Sequence, residues 1–197
     1  MTEDDTKLSS TQFKNELAET IPHLRAFGRS LAGNVETADD LVQDTLLKAW
    51  AARDKFIAGT SMKAWTFVIL RNTFFSNMRR KKFTGEYNEL AAERILSAPA
   101  PQQHPLHLND LQRALMELSE DQREAVTLVG AGGYSYEDAA EIAGCAIGTM
   151  KSRVSRARTA LEGILEDGRF SDLSEAAGTQ EGTALDNIIA AVDRIGS

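Results

Sequence analysis

The sequence predicts an all-α protein made of two small helical domains joined by a flexible linker. Apolar residues recur at spacings of three and four almost throughout, and strand-type alternation is nearly absent. Three of the four prolines, Pro99, Pro101 and Pro105, crowd into one aperiodic stretch between two periodic halves. These patterns set the boundaries at residues 10–84 for the first domain, 85–109 for the linker, 110–167 for the second domain and 168–197 for a polar tail.

The first helical segment carries Phe13, Leu17, Ile21, Leu24, Phe27 and Leu31, with Ser9 and Gln12 as a capping box and Pro22 marking a break or restart. Gly33-Asn34 ends it. A second helix, about Glu36 to Arg53, is expected to bury Ala38, Leu41, Val42, Thr45, Leu46, Ala49 and Trp50. Its other face is polar: Asp39, Asp40, Gln43, Asp44 and Lys48. The turn-like stretch Ile57 to Ser61 supplies an N-cap for a third long helix, which runs from about Met62 through Trp65, Val68, Ile69, Asn72 and Phe75 into Arg79-Arg80-Lys81-Lys82. Three such helices make a small three-helix-type bundle, and Trp50, Trp65 and Phe75 fall on its packing stripes.

Within the linker, Leu90 to Leu96 can form a short helix that a partner could order. The second domain begins near Asp110 with Leu111, Ala114, Leu115 and Leu118. Ser119 then caps a helix bearing Ala125, Val126, Leu128 and Val129, and Gly130 to Gly133 stops it. In the tail, Leu185, Ile188, Ile189, Val192 and Ile195 form an amphipathic stripe that either packs back or meets a partner helix.

Composition narrows the classes. No run approaches the roughly 18 apolar residues of a membrane span, and Met1-Thr2-Glu3-Asp4-Asp5 is acidic where a signal peptide is basic, so no membrane partner and a cytoplasmic location are expected. The single cysteine, Cys145, allows neither an internal disulfide nor a metal cluster and reads as a small packing residue. His23, His104 and His107 are scattered, no phosphate loop or nucleophile arrangement is present, and a His104–His107 metal pair lacks further ligands. No enzyme, no catalytic residue, no cofactor and no metal are expected.

The net charge of −7 is unevenly spread. Residues 10–84 carry 12 basic against 7 acidic groups, and residues 110–167 carry 6 against 11. Yet Ile147 to Leu161 holds four basic residues and no acid. A protein of this kind binds DNA weakly by charge alone and needs a docking partner.

That basic stretch belongs to a helix-turn-helix pattern. A short helix from Tyr136 to Ala143 carries Ala139-Ala140, a turn follows at Gly144-Cys145-Ala146, and a longer basic helix comes after it. Two helices crossing steeply over so short a turn need small residues at the crossing and a glycine in the turn. On the second helix Thr149, Arg153 and Arg156 are spaced by four and three, with Lys151, Ser152, Ser155 and Arg158 alongside. Early residues of a recognition helix reach base edges, and later Arg and Lys meet phosphates.

Two stretches, residues 38–50 with 64–75 and the helix-turn-helix, resemble in order the extracytoplasmic-function (ECF) sigma factors of bacterial RNA polymerase over residues 10–165. Asp121 to Ala125, Leu128 to Glu141 and Gly144-Cys145-Ala146 are similar to the alphaproteobacterial general-stress-response, EcfG-like branch. The resemblance implies that residues 10–84 are sigma region 2 and residues 110–167 are sigma region 4. It implies that Asp39, Asp40, Gln43, Asp44 and Lys48 dock on core RNA polymerase. The loop from Phe56 to Ser61 and the next helix would take the melted minus-10 strand, with Arg71, Asn72, Phe74, Arg79, Arg80, Lys81 and Lys82 as candidates, and Thr149 to Arg158 would read minus-35 duplex. Promoter DNA, core polymerase and an anti-sigma factor are the partners it implies. Two other readings stand beside it: a sigma-like mimic that sequesters an anti-sigma factor, and a stand-alone helix-turn-helix repressor.

Overall fold

A computed structural model describes residues 7–83 and 106–166. The chain divides into two units, Met1–Tyr87 and Asn88–Ser197. Among the described residues there are helices and no strands, as the periodicity predicts. Most of the linker, including Leu90 to Leu96 and His104, and the tail with its Leu185–Ile195 stripe lie outside the described residues.

In the first unit α1 spans Ser10–Glu19 and α2 spans Ile21–Ala32, so the break falls just ahead of Pro22. Proline is compatible with the first turn of a helix, where its missing N–H has no partner to lose. Ser9 and Gln12 form the reciprocal capping box, the Ser9 Oγ accepting from the Gln12 N–H and the Gln12 Oε1 from the Ser9 N–H. Gly33 closes α2, and Asn34 caps α3 (Val35–Ala51) by accepting from the Thr37 N–H at 2.7 Å. A 3-10 turn at Arg53–Lys55 follows, and Ser61 caps α4 (Met62–Phe83) through the Ala64 N–H.

The core joins all four helices. Phe13 and Leu17 of α1 meet Ala49, Phe56 and Met62, with Trp65 and Ile69 packed against them. Phe27 of α2 stacks on Phe67 of α4 with ring centroids 4.6 Å apart and planes 7° from parallel. The buried threonines of this unit do not leave stray donors. Thr45, Thr66 and Thr73 each donate to the carbonyl four residues back, at Leu41, Met62 and Ile69. Trp50 departs from its predicted place in the core: it is 41% exposed, lies edge-on to Phe13 and carries the Arg53 guanidinium 5.4 Å above its ring. Leu46 is half-buried. Both stand at the margin of the α3 stripe, where the neighbouring helices cover only one side.

In the second unit α5 spans Leu106–Glu117, beginning earlier than Asp110, so His107 belongs to a helix. Ser119 and Gln122 form a second capping box at the start of α6 (Glu120–Val126). The helix ends within the Gly130 to Gly133 stretch as expected, but before it does so it widens into one π-helical turn over Thr127–Ala131, capped at Gly132. Thr127, Leu128 and Val129 are buried by it, and Gly132 is required there because a Cβ would lie 2.4 Å from the Leu128 carbonyl oxygen. Next come α7 (Tyr136–Ala143) and α8 (Ile147–Glu166), whose buried stripe is Met150, Val154, Ala157, Leu161 and Ile164.

The buried Arg123 ties α6 to α5. Its Nε donates to the Leu115 carbonyl at 2.9 Å and its Nη2 to the Leu118 carbonyl at 3.0 Å. A guanidinium thus occupies the negative end of α5, where the last carbonyls lack the N–H of a following helical turn.

Candidate nucleic-acid interface

The helix-turn-helix forms from α7 and α8 for the local reasons the sequence suggests. Ser135 caps α7 by accepting from the Asp138 N–H at 3.0 Å. Gly144 adopts φ 62°, a left-handed conformation that L side chains rarely take, and the Cys145 N–H closes the end of α7 on the Ala140 carbonyl at 3.0 Å. Ala139, Ala140 and Ala143 are fully enclosed at the crossing. Cys145, a free thiol, is half-buried in the turn.

On α8 the residues opposite the buried stripe include Thr149, Ser155 and Arg156, all exposed, and the half-buried Ser152, whose Oγ donates to the Thr149 carbonyl. The four cations of this helix are not equivalent. Lys151 holds its ammonium 5.6 Å from the centre of the Tyr136 ring. Arg158 pairs with Glu162 at 2.9 Å, one turn along. Arg153 is turned toward α6, where its Nη2 donates to the Asp121 carboxylate at 2.8 Å. Arg156 makes no ion pair or ring contact among the described residues. Of the sequence-predicted duplex readers, it is the cation held out to solvent without a partner among the described residues.

In the first unit the polar face of α3 separates in a similar way. Asp40, Gln43 and Asp44 are exposed, whereas Asp39 is half-buried and pairs with Arg25 at 3.4 Å. The Lys48 ammonium donates to the Thr73 hydroxyl of α4 at 2.9 Å. Among the acids stands Leu47, 70% exposed, which apolar patterning alone does not distinguish from a core leucine. Four residues beyond Gln43 and three beyond Asp44, it shares their face and makes that face amphipathic rather than acidic.

Along α4, Asn72 is exposed, and the Arg71 guanidinium lies 4.8 Å over the Phe75 ring. Phe74, expected among the candidates for melted DNA, is 7% exposed and packs edge-on against Phe75, so it belongs to the core and cannot stack on a base. Phe74 and Phe75 differ by one helical step, and the inward one is chosen by the helices against α4. Arg79, Arg80, Lys81 and Lys82 are exposed in the last turns of α4, a favourable place for cations. In the preceding loop Phe56 is buried, but Ile57 is 59% exposed, a candidate the sequence reading passed over. Lys63, near the start of α4, has its pKa lowered from the ordinary lysine value by partial burial.

No cluster of three or more potential metal ligands occurs among the described residues, and no described helix is long and apolar enough to cross a membrane.

Comparison with known proteins finds one family region in each of the two units. The family description "Sigma-70 region 2" matches residues 17–84, and "Sigma-70, region 4" matches residues 108–161. The chain is 47% identical over 152 residues to the ECF RNA polymerase sigma factor EcfG of Rhodopseudomonas palustris, covering 77% of this chain and 84% of that one. It is 34% identical over 142 residues to the ECF RNA polymerase sigma factor SigC of Mycobacterium tuberculosis, covering 72% of this chain and 75% of the relative. Among solved structures, the sigma factor RpoE from Bartonella quintana, crystallised in complex with the anti-sigma factor NepR, is 48% identical with a TM-score of 0.65, over 80% of this chain and 99% of that one. With both family regions in order, and one relative nearly half identical over most of its length, the chain belongs to the ECF sigma factors of the sigma-70 family, proteins that bind core RNA polymerase and promoter DNA and are not enzymes.

Proposed function

We propose that the chain is a sigma factor of the general-stress-response branch, held in check in the cytoplasm by an anti-sigma factor and released to direct core polymerase to its promoters. The observation that carries this is the helix-turn-helix, with Thr149, Ser152, Ser155 and the uncommitted Arg156 on the outer face of α8. In this reading those residues meet the minus-35 duplex, with Lys151 and Arg158 beside them. Asn72 and Arg71 take the melted minus-10 strand, and the cations at Arg79 to Lys82 follow its backbone. Asp40, Gln43, Asp44 and Leu47 dock on polymerase, a charged rim around one apolar anchor, an arrangement common to protein interfaces. The likeness to the EcfG protein and to the NepR-bound sigma factor supports the branch and the anti-sigma partner.

An acidic protein with so few uncommitted cations on its reading helix binds duplex weakly when free, and attachment to polymerase raises the effective concentration of α8 at the promoter. The test is initiation in vitro by core polymerase on a candidate promoter. Asp44→Lys and Leu47→Asp are expected to abolish initiation while duplex affinity of the free chain stays unchanged. Arg156→Ala is expected to weaken minus-35 recognition by about 1–3 kcal/mol. Initiation that is unaffected by both α3 variants would leave a helix-turn-helix repressor as the better description.

A further inference from the structure

Arg153 lies on the flank of α8 between the buried Met150, Val154 and Ala157 and the open positions Thr149 and Arg156. Its side chain is only 20% exposed. Nη2 donates to Asp121 Oδ2 at 2.8 Å, and Nη1 is buried with no hydrogen-bond partner among the described residues. Asp121 sits in the first turn of α6, where backbone N–H groups favour an ionised carboxylate. To reach DNA, Arg153 would have to leave that carboxylate, which would then face phosphates unpaired; both steps oppose the contact.

We propose that Asp121 and Arg153 are a positioning pair for minus-35 reading. Arg153 does not itself touch DNA; the pair fixes the roll of α8 at which Thr149, Ser152 and Arg156 meet base edges. This inference rests on the reading of α8 as the duplex-reading helix. Thr149 and Arg156 lie on the same flank, one turn to either side of the tie. A roll of about 20° moves a side-chain tip at a radius of about 6 Å by about 2 Å. Hydrogen bonds tolerate only a few tenths of an ångström, so a loose helix loses base discrimination before it loses its fold.

The test uses the full chain assembled with core RNA polymerase. Discrimination is the ratio of affinities for a promoter recovered by that holoenzyme from a minus-35-randomised library and for the same promoter with the element scrambled. Asp121→Asn and Arg153→Met are each expected to lower the ratio about fivefold, with the double variant no worse than either. Exchanging the charges, Asp121→Arg with Arg153→Asp, is expected to restore it. The dependence of affinity on salt stays that of the unsubstituted chain, because no phosphate contact is removed. If Arg153→Met lowers the log–log salt slope by about 1, Arg153 is a DNA cation and the proposal falls. Tighter binding by Asp121→Asn would make Asp121 a mask over Arg153 and also overturn it, as would additive losses in the double variant. Should both single variants keep the full ratio while Arg156→Ala lowers it, positioning is refuted and the reading of α8 survives. If Arg156→Ala leaves the ratio unchanged as well, the reading of α8 itself is refuted.

Discussion

Replacing Arg123 with methionine keeps most of the side-chain volume and removes the cation that closes α5. Arg123 is 5% exposed, and its two shorter bonds, at 2.9 Å to Leu115 and 3.0 Å to Leu118, end on carbonyls at the C-terminal end of α5, of which Leu115 also accepts from the Leu118 N–H. A hydrogen bond from a charged donor contributes about 1.5–3 kcal/mol, so losing two costs about 3–5 kcal/mol once partial relaxation is allowed. A unit of this size has a total stability of about 3–9 kcal/mol, at about 0.05–0.15 kcal/mol per residue. The second unit of Arg123→Met is therefore expected to be largely unfolded already at low urea. Both tryptophans, Trp50 and Trp65, belong to the first unit, so tryptophan fluorescence follows that unit while far-UV circular dichroism follows both. The expected result is a loss of helical signal at low urea with the fluorescence midpoint unmoved. Arg123→Lys should recover only part of the loss, since an ammonium lacks the planar fork that serves two carbonyls at once. A dichroism transition within about 0.5 kcal/mol of the unsubstituted chain, the size of an ordinary surface effect, would refute the capping role.

Two further outcomes follow from burial. Phe74→Ala is expected to cost about 3–5 kcal/mol of stability in the first unit, whereas Asn72→Ala should leave the melting curve in place and impair formation of the open promoter complex; a Phe74 variant of normal stability would return that ring to the DNA-contacting set. The Tyr134 hydroxyl has its pKa pushed up to about 12, first by burial and then by the Asp138 carboxylate. In the unfolded chain a tyrosine ionises near 10, so the folded state holds this proton more tightly. Its contribution to stability is complete below about pH 10 and is lost as pH rises toward about 12. The melting temperature of the second unit should fall across that window, and Tyr134→Phe should flatten the fall; equal slopes in the two proteins would show that Tyr134 is not the group responsible.

Features that a few neighbouring residues decide can be read from the chain alone. Ser9 with Gln12, Ser61 and Ser119 announce helix starts because a cap joins groups three residues apart, whereas Asn34, read as part of a helix end, caps α3 instead. The helix-turn-helix was legible for the same reason: a left-handed Gly144 and the small Ala139 and Ala140 are local demands of the turn. The π turn after Val126 was not, because the glycines there serve a close backbone approach that no spacing rule encodes.

Tertiary structure decided which members of each candidate set are available. Arg153 and Arg156 look alike along the chain, but a carboxylate 32 residues away holds one of them. Lys48 is drawn to Thr73, 25 residues on, and Leu47 is left standing outside. Phe74 rather than Phe75 turns inward, and Trp50 stays at the edge, because burial depends on where the other helices end. Periodicity marks the centre of an apolar stripe well and its margins poorly, and the residues that choose between packing and binding lie on the margins. On α8 that margin runs between Val154 in the core and Arg156 in solvent, with Arg153 fixed on the boundary by Asp121.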